Sequence, residues 1–79
     1  MSNQMDLSKV IRFHRKKSGL TQKELADLAN VGKTVIFDLE KGKSSVQFDI
    51  IEKVLNALNI KITFDSPIMQ LMKNENEKS

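Results

Sequence analysis

The side chains in this sequence that could do chemistry are mostly cations. Arg12, Arg15, Lys16, Lys17, Lys23, Lys33, Lys41 and Lys43 crowd the first half of a 79-residue chain. Their chemistry is the neutralisation of an anion rather than the making of bonds. No nucleophile stands with a base and an orienting acid, and no glycine-rich phosphate loop is present. One histidine and no cysteine leave little for a metal site and nothing for a disulfide. His14 lies on the inward-leaning face of a helix and reads as a packed side chain. The expectation is a protein that is not an enzyme and needs no cofactor.

The charge is unevenly placed. Residues 5–45 hold nine Lys and Arg against five Asp and Glu, whereas residues 46–65 come to −1 and the segment from Ser66 to zero. A positive first half suits a polyanion, although an ordinary solvated helix surface can look the same. No apolar run approaches the roughly 18 residues of a membrane span. The N-terminus lacks a basic region followed by an apolar stretch, so no signal peptide is expected. Cysteine-free composition fits a reducing cytoplasm.

Those cations need elements to hold them, and helical periodicity supplies four. Residues 1–5 read as a disordered N-terminus. Asp6 or Ser8 can cap a first helix to about Lys17, with Leu7, Val10, Ile11 and His14 on one face. Ser18-Gly19 ends it. Thr21 and Glu24 form a T-x-x-E capping box at the start of a second helix, whose inner side carries Leu25, Leu28 and Ala29. Ala26 and Ala29 are small enough for close approach. Asn30-Val31-Gly32 makes the turn, with Val31-Gly32 supplying its tightness. A third helix then runs from Lys33 to Glu40, with Ile36 and Leu39 inward and Lys33, Thr34, Phe37 and Asp38 outward. Ser44 or Ser45 can cap a fourth helix to about Leu58.

The period then shifts to two. Ile60, Ile62 and Phe64 alternate with Lys61, Thr63 and Asp65, the pattern of a half-buried strand. A lone strand cannot satisfy its own backbone. Either the same strand of a second copy pairs with it about a two-fold axis, which is the preferred reading, or it lies as an extended tail on the helices. The domain division is therefore 6–59 for the helical body, 60–65 for the strand, and 66–79 for a short helical turn with Ile68, Leu71 and Met72 on one side and a flexible tail.

Two short helices across a tight turn, inside a bundle of four or five, make a helix-turn-helix, whose second helix enters the major groove of DNA. The run IRFHRKKSGLTQKELADLANVGKTVIFDLEKGK, Ile11 to Lys43, resembles the Xre/Cro-type repressor family. The resemblance covers residues 7–60 and implies a mainly α, lambda-repressor-like DNA-binding domain. A fourth helix ending in L-N-I and followed by KITFDS resembles, less specifically, the HipB-like antitoxins. That resemblance implies a homodimer joined through the strand, at Ile60, Ile62 and Phe64. It also implies repression of its own operon and a HipA-like serine/threonine kinase toxin as partner. The alternative is a stand-alone, phage-like repressor of the same type. Such a repressor more often carries a larger C-terminal dimerisation domain.

Matched position by position, the resemblance assigns roles. Thr21 and Gln22 anchor the second helix on phosphate, with Gln22 also within reach of a base. Lys33, Thr34 and Phe37 stand at base-reading positions on a pseudo-palindromic operator. Lys43, Ser44 and Ser45 grip the next phosphates, helped by Lys23 and Lys41. Arg15 and Glu40 match a salt bridge between the first and third helices; a plain phosphate contact is the other reading for Arg15. Asp38 either accepts from a cytosine amino group or, preferably, turns sideways to orient a neighbouring cation. Phe37 packs on a thymine methyl or on a neighbouring side chain. Gly32 replaces a side chain that touches DNA in many relatives. Phe13 lies off the core face and either covers the C-terminal strand or marks a partner contact, with covering its own chain preferred.

Overall fold

The computed structural model describes residues 6–43 and 45–78. The expected disorder of residues 1–5 and the roles given to Ser44 lie outside them. Five helices follow one another: α1 (Leu7–Lys17), α2 (Gln22–Ala29), α3 (Lys33–Glu40), α4 (Phe48–Ala57) and α5 (Pro67–Lys78). The first four each bury one large aliphatic side chain completely: Ile11, Leu25, Ile36 and Val54. Ala26, Ala29, Leu39, Leu55 and Leu58 complete the core. Helix α2 packs on α3 and α4, and α1 packs on α3.

The four body helices end alike. In each, a backbone N–H just beyond the helix reaches back five residues: Leu20 to Arg15, Val31 to Ala26, Lys43 to Asp38 and Ile60 to Leu55, at 2.9–3.1 Å. This closure needs a left-handed residue in the middle. Gly19, Asn30, Gly42 and Asn59 supply it, with φ of 73°, 58°, 84° and 59°. Leu20, Val31 and Ile60 follow directly and pack against the core. A helix stop thus doubles as an apolar contact that fixes the next segment's direction. Within the expected Asn30-Val31-Gly32 turn between α2 and α3, the left-handed residue is Asn30, not the glycine. Gly32 is extended, with φ −72°, and a Cβ there meets open space.

Other expectations change too. Leu28 is 62% exposed, because α3 and α4 close onto the small Ala26 and Ala29 instead. Helix α4 starts at Phe48 with Gln47 as its cap, not at Ser45. Val46 first packs against the core, and the chain must bring it inward before coiling. Residues 61–66 have neither helix nor ladder, so no strand occurs among the described residues of this single chain. Helix α5 runs for 12 residues where one turn and a loose tail were expected. The Ser66 hydroxyl accepts from the Met69 N–H at 3.1 Å, and Pro67 suits a first helical position. Its Ile68, Leu71 and Met72 are 74%, 63% and 52% exposed. The radius of gyration, 15.3 Å, exceeds the about 12 Å of a compact chain this long, as a projecting segment requires.

Candidate nucleic-acid interface

The site is assembled around the start of α2 and the outer side of α3. Thr21 Oγ1 accepts from the Glu24 N–H at 3.0 Å, and Glu24 Oε1 accepts from the Thr21 N–H at 2.8 Å. The capping box expected from T-x-x-E is therefore closed in both directions. It occupies the N–H groups of Thr21 and Glu24. Those of Gln22 and Lys23, at the first two helical positions, have no acceptor within the helix and face outward toward any anion. The α3 start has no side-chain cap at all. Its first N–H groups, at Lys33 and Thr34, belong to the residues expected to read bases.

Helix α3 is held at its far end by Arg15. The guanidinium donates from Nε to Glu40 Oε2 at 2.6 Å and from Nη2 to Glu40 Oε1 at 2.9 Å. Nη1 donates to the Leu20 carbonyl at 2.9 Å. One planar group thus ties α1, the α1–α2 connection and α3 together, the bidentate geometry in which Arg excels. The side chains are 12% and 6% exposed. Burial pushes the Glu40 carboxyl up, but hydrogen bonds from Arg15 and Gln22 and the charges of Arg15 and Arg12 outweigh it, so its pKa falls below the usual value. The bond to Glu40 raises the Arg15 pKa against the opposing effect of burial. The pair stays ionised, and the plain phosphate reading for Arg15 is displaced.

Gln22 joins this network. Its Nε2 donates to Glu40 Oε1 at 3.3 Å. One amide hydrogen is committed inward, which turns the remaining amide groups toward the outer surface. No local pattern signals this tie, since Gln22 and Glu40 lie 18 positions apart. Nor does one single out Arg12 as a site residue. Arg12 lines a hollow with Arg15, Gln22, Phe37, Glu40 and Lys41.

On the outer side of α3, Lys33 and Thr34 are exposed and Phe37 is 46% exposed. The Lys41 ammonium sits 4.8 Å from the Phe37 ring centroid, a cation–π contact. Gln22, Lys33, Thr34 and Phe37 line a second hollow of about 330 Å³. Asp38 is half-buried, and Lys43 Nζ lies 3.5 Å from its Oδ1. It therefore stands beside a basic group of the following loop. Lys23 pairs with Asp27 at 3.1 Å, both well exposed, a contact too solvated to hold either in place. Ser45 is exposed.

The remaining expected residues lie elsewhere. Ile60 packs on its own core, whereas Ile62 and Phe64 are 39% and 71% exposed. Phe13, expected to cover its own chain, stays largely open to solvent. It is 53% exposed, edge-on to His14 at 5.9 Å, with Lys17 Nζ 5.7 Å from its ring. His14 Nδ1 lies 2.7 Å from the Val10 carbonyl. Among the described residues no three of His, Asp and Glu are grouped to hold a metal ion, and no helix is long and apolar enough to cross a membrane. The assembled surface can place N–H donors, cations and one aromatic ring against an anionic, base-bearing edge.

A family model described as helix-turn-helix matches residues 11–64. The chain is 34% identical over 71 residues to the competence pilus inhibition repressor of Acinetobacter baylyi, covering 90% of this chain and 64% of that protein. It thus spans less than two thirds of that relative's length. It is 39% identical over 62 residues to an uncharacterized HTH-type transcriptional regulator of Sinorhizobium fredii, covering 78% of this chain and 82% of the other. Among solved structures it is similar to HipB in a complex with an O2 20mer, with a TM-score of 0.72, 20% identity, and coverage of 85% of this chain and 96% of that one. It is also similar to a chain of a HipA–HipB–O2–O3 complex, with a TM-score of 0.71, 19% identity, and coverage of 85% and 97%. At that identity the likeness concerns the fold.

Proposed function

The chain belongs to the helix-turn-helix family, of the Xre/Cro type, and from that membership we propose that it is a sequence-specific transcriptional repressor acting in the cytoplasm as a homodimer. Each copy of α3 enters a major groove, and the two grooves lie about 34 Å apart on one face of a pseudo-palindromic operator. Bound there, the dimer occludes the promoter. The observation that carries this reading is the outer face of α3. Its base-facing residues, Lys33, Thr34 and Phe37, are exposed, while Arg15 and Glu40 lock the helix from behind.

Base reading is assigned to Gln22, Lys33, Thr34 and Phe37. Thr21, Lys23, Lys41, Lys43, Ser44 and Ser45 take phosphates. Asp38 serves the site by steering Lys43. Affinity comes largely from the phosphate contacts and falls steeply with salt. The two copies join through residues 60–65, paired as antiparallel strands. The alternation of Ile62 and Phe64 with Lys61 and Thr63 supports this, as does the exposure of both apolar side chains in a single copy.

The same protein serves, in this reading, as the antitoxin of a HipB-like pair, repressing its operon and holding a HipA-like serine/threonine kinase. What supports this beyond the shared fold is the apolar side of α5, where Ile68, Leu71 and Met72 stand mostly open to solvent. The second reading is a stand-alone repressor, which the name of the Acinetobacter baylyi relative favours. Footprinting on the chain's own upstream DNA, with and without the neighbouring gene product, tests both. A symmetric, salt-sensitive footprint supports the repressor. A kinase-sized protein co-purifying in stoichiometric amount supports the antitoxin, and its absence from a native pull-down leaves the stand-alone repressor.

A further inference from the structure

We propose that the hollow between Thr34 and Phe37 receives the C5-methyl group of one thymine in each half-site, so that part of the operator sequence is read by apolar contact. The proposal rests on the operator-binding reading above and specifies what one side chain in it recognises. Phe37 has no hydrogen bond to give or accept, yet it stands 46% exposed in the middle of a surface otherwise made of cations, a hydroxyl and an amide. Of the groups that base pairs display in the major groove, only the thymine methyl is apolar.

The ring borders two hollows. One, of about 170 Å³, is lined by Arg12, Arg15, Gln22, Phe37, Glu40 and Lys41. It is strongly ionic, and Lys41 contributes the ammonium that sits 4.8 Å from the ring centroid. The other, of about 330 Å³, is lined by Gln22, Lys33, Thr34 and Phe37, with one cation and no carboxylate. It is wide enough for the edge of a base. Thr34 adds a methyl group beside the ring, while Gln22 and Lys33 add donors. Thymine offers a methyl next to the O4 acceptor, which matches that lining. Cytosine offers an amino donor in place of O4, and uracil lacks the methyl. The Lys41 ammonium, 4.8 Å from the ring centroid, adds a weak bias to the ring's orientation.

The test uses the full chain and the operator located by footprinting. Affinity is measured by fluorescence anisotropy at fixed salt, with each thymine of a half-site replaced in turn by deoxyuridine, which removes only the methyl. One position per half-site is expected to weaken binding by about fourfold, the worth of one buried methyl. Phe37→Ala should abolish the difference between the two duplexes, and Phe37→Leu should keep part of it. At the same position a C·G pair should bind weakly and its 5-methylcytosine form should recover part of the loss. Because Phe37 is outside the core, circular dichroism should show both variants folded. The proposal is overturned if no thymine position shows a penalty. It is also overturned if Phe37→Ala binds with the wild-type salt slope and an unchanged deoxyuridine penalty. A chain that leaves no salt-sensitive footprint on any DNA overturns the operator reading itself, and this proposal with it.

Discussion

Removing the Arg15 side chain should unfold much of the protein's margin of stability, and the size of the loss can be worked from its contacts. Arg15 gives Glu40 two hydrogen bonds, at 2.6 and 2.9 Å, and Glu40 is 6% exposed. In Arg15→Ala the carboxylate keeps only the Gln22 amide at 3.3 Å and the more distant charge of Arg12. Breaking a buried ion pair from one side costs about 3–5 kcal/mol. The 12% exposure of Arg15 and the presence of Arg12 place this case near the lower end. A chain of 79 residues has a total stability of about 4–12 kcal/mol. A loss of about 3 kcal/mol should lower Tm by about 12–24 °C in a domain of this size. Glu40→Ala should cost less, about 1.5–3 kcal/mol, because the guanidinium keeps the Leu20 carbonyl. The double variant Arg15→Met with Glu40→Leu should recover most of the stability, since no buried charge is left unpaired. It should nonetheless bind the operator more weakly, because nothing then fixes the rotation of α3 against α1. Calorimetry and operator titration on the same three proteins separate the two effects. The acid limb adds a check. Glu40 has a lowered pKa in the folded protein, so its contribution is complete above the ordinary value of 4.5 and is lost as pH falls through the folded value. Tm of the wild type should therefore fall more between pH 5 and pH 3 than Tm of the double variant. If Arg15→Ala stays within about 0.5 kcal/mol of the wild type, the pair behaves as a solvated one and the reasoning fails. If the double variant keeps full operator affinity, the bridge does not set the reading angle.

Four other substitutions probe the site and the proposed dimer contact. Lys33→Ala and Thr34→Ala should each relax sequence choice, by about 1–3 kcal/mol at the affected base pair, in a binding-site selection assay; unchanged preference in both would remove α3 as the reader. Lys43→Ala should weaken binding to operator and random DNA by a similar factor and reduce the salt slope by about one. A loss confined to operator DNA would contradict a phosphate role. Ile62→Asp should yield monomers in sedimentation velocity, and persistence of a dimer would show that residues 60–65 do not join the copies.

The helical body was legible because each helix carries its own start and stop chemistry. T-x-x-E predicts the capping box at Thr21 and Glu24, and the periodicity of Ile11, Leu25, Ile36 and Val54 predicts which sides meet. Spacing alone misplaces Leu28. It sits one turn after the buried Leu25, but the neighbouring helices approach through alanines, and proximity of backbones leaves the larger side chain outside. The start of α4 was misread for a related reason: Ser45 is a good cap, yet the burial of Val46 delays the coil until Phe48. Helix α5 had a readable beginning at Ser66-Pro67 and no glycine to end it, and polarity was mistaken for disorder.

The site divides the same way. Residue type placed Lys33, Thr34 and Phe37 on an outer face, because three-dimensional position follows from helical period within one element. Gln22, Arg12 and the Leu20 carbonyl entered the Arg15–Glu40 network through the meeting of three segments, which no local pattern encodes. The alternation at Ile60, Ile62 and Phe64 marks the limit of this logic. It specifies one buried face, yet a single copy buries only its first residue, Ile60, and leaves Ile62 and Phe64 open to water. This unfilled pattern is what motivates the proposed pairing with a second copy. The apolar side of α5 follows immediately and has the same property. The proposed pairing of two copies through residues 60–65 rests on this unfilled apolar pattern, whereas the helix-turn-helix is completed within one subunit.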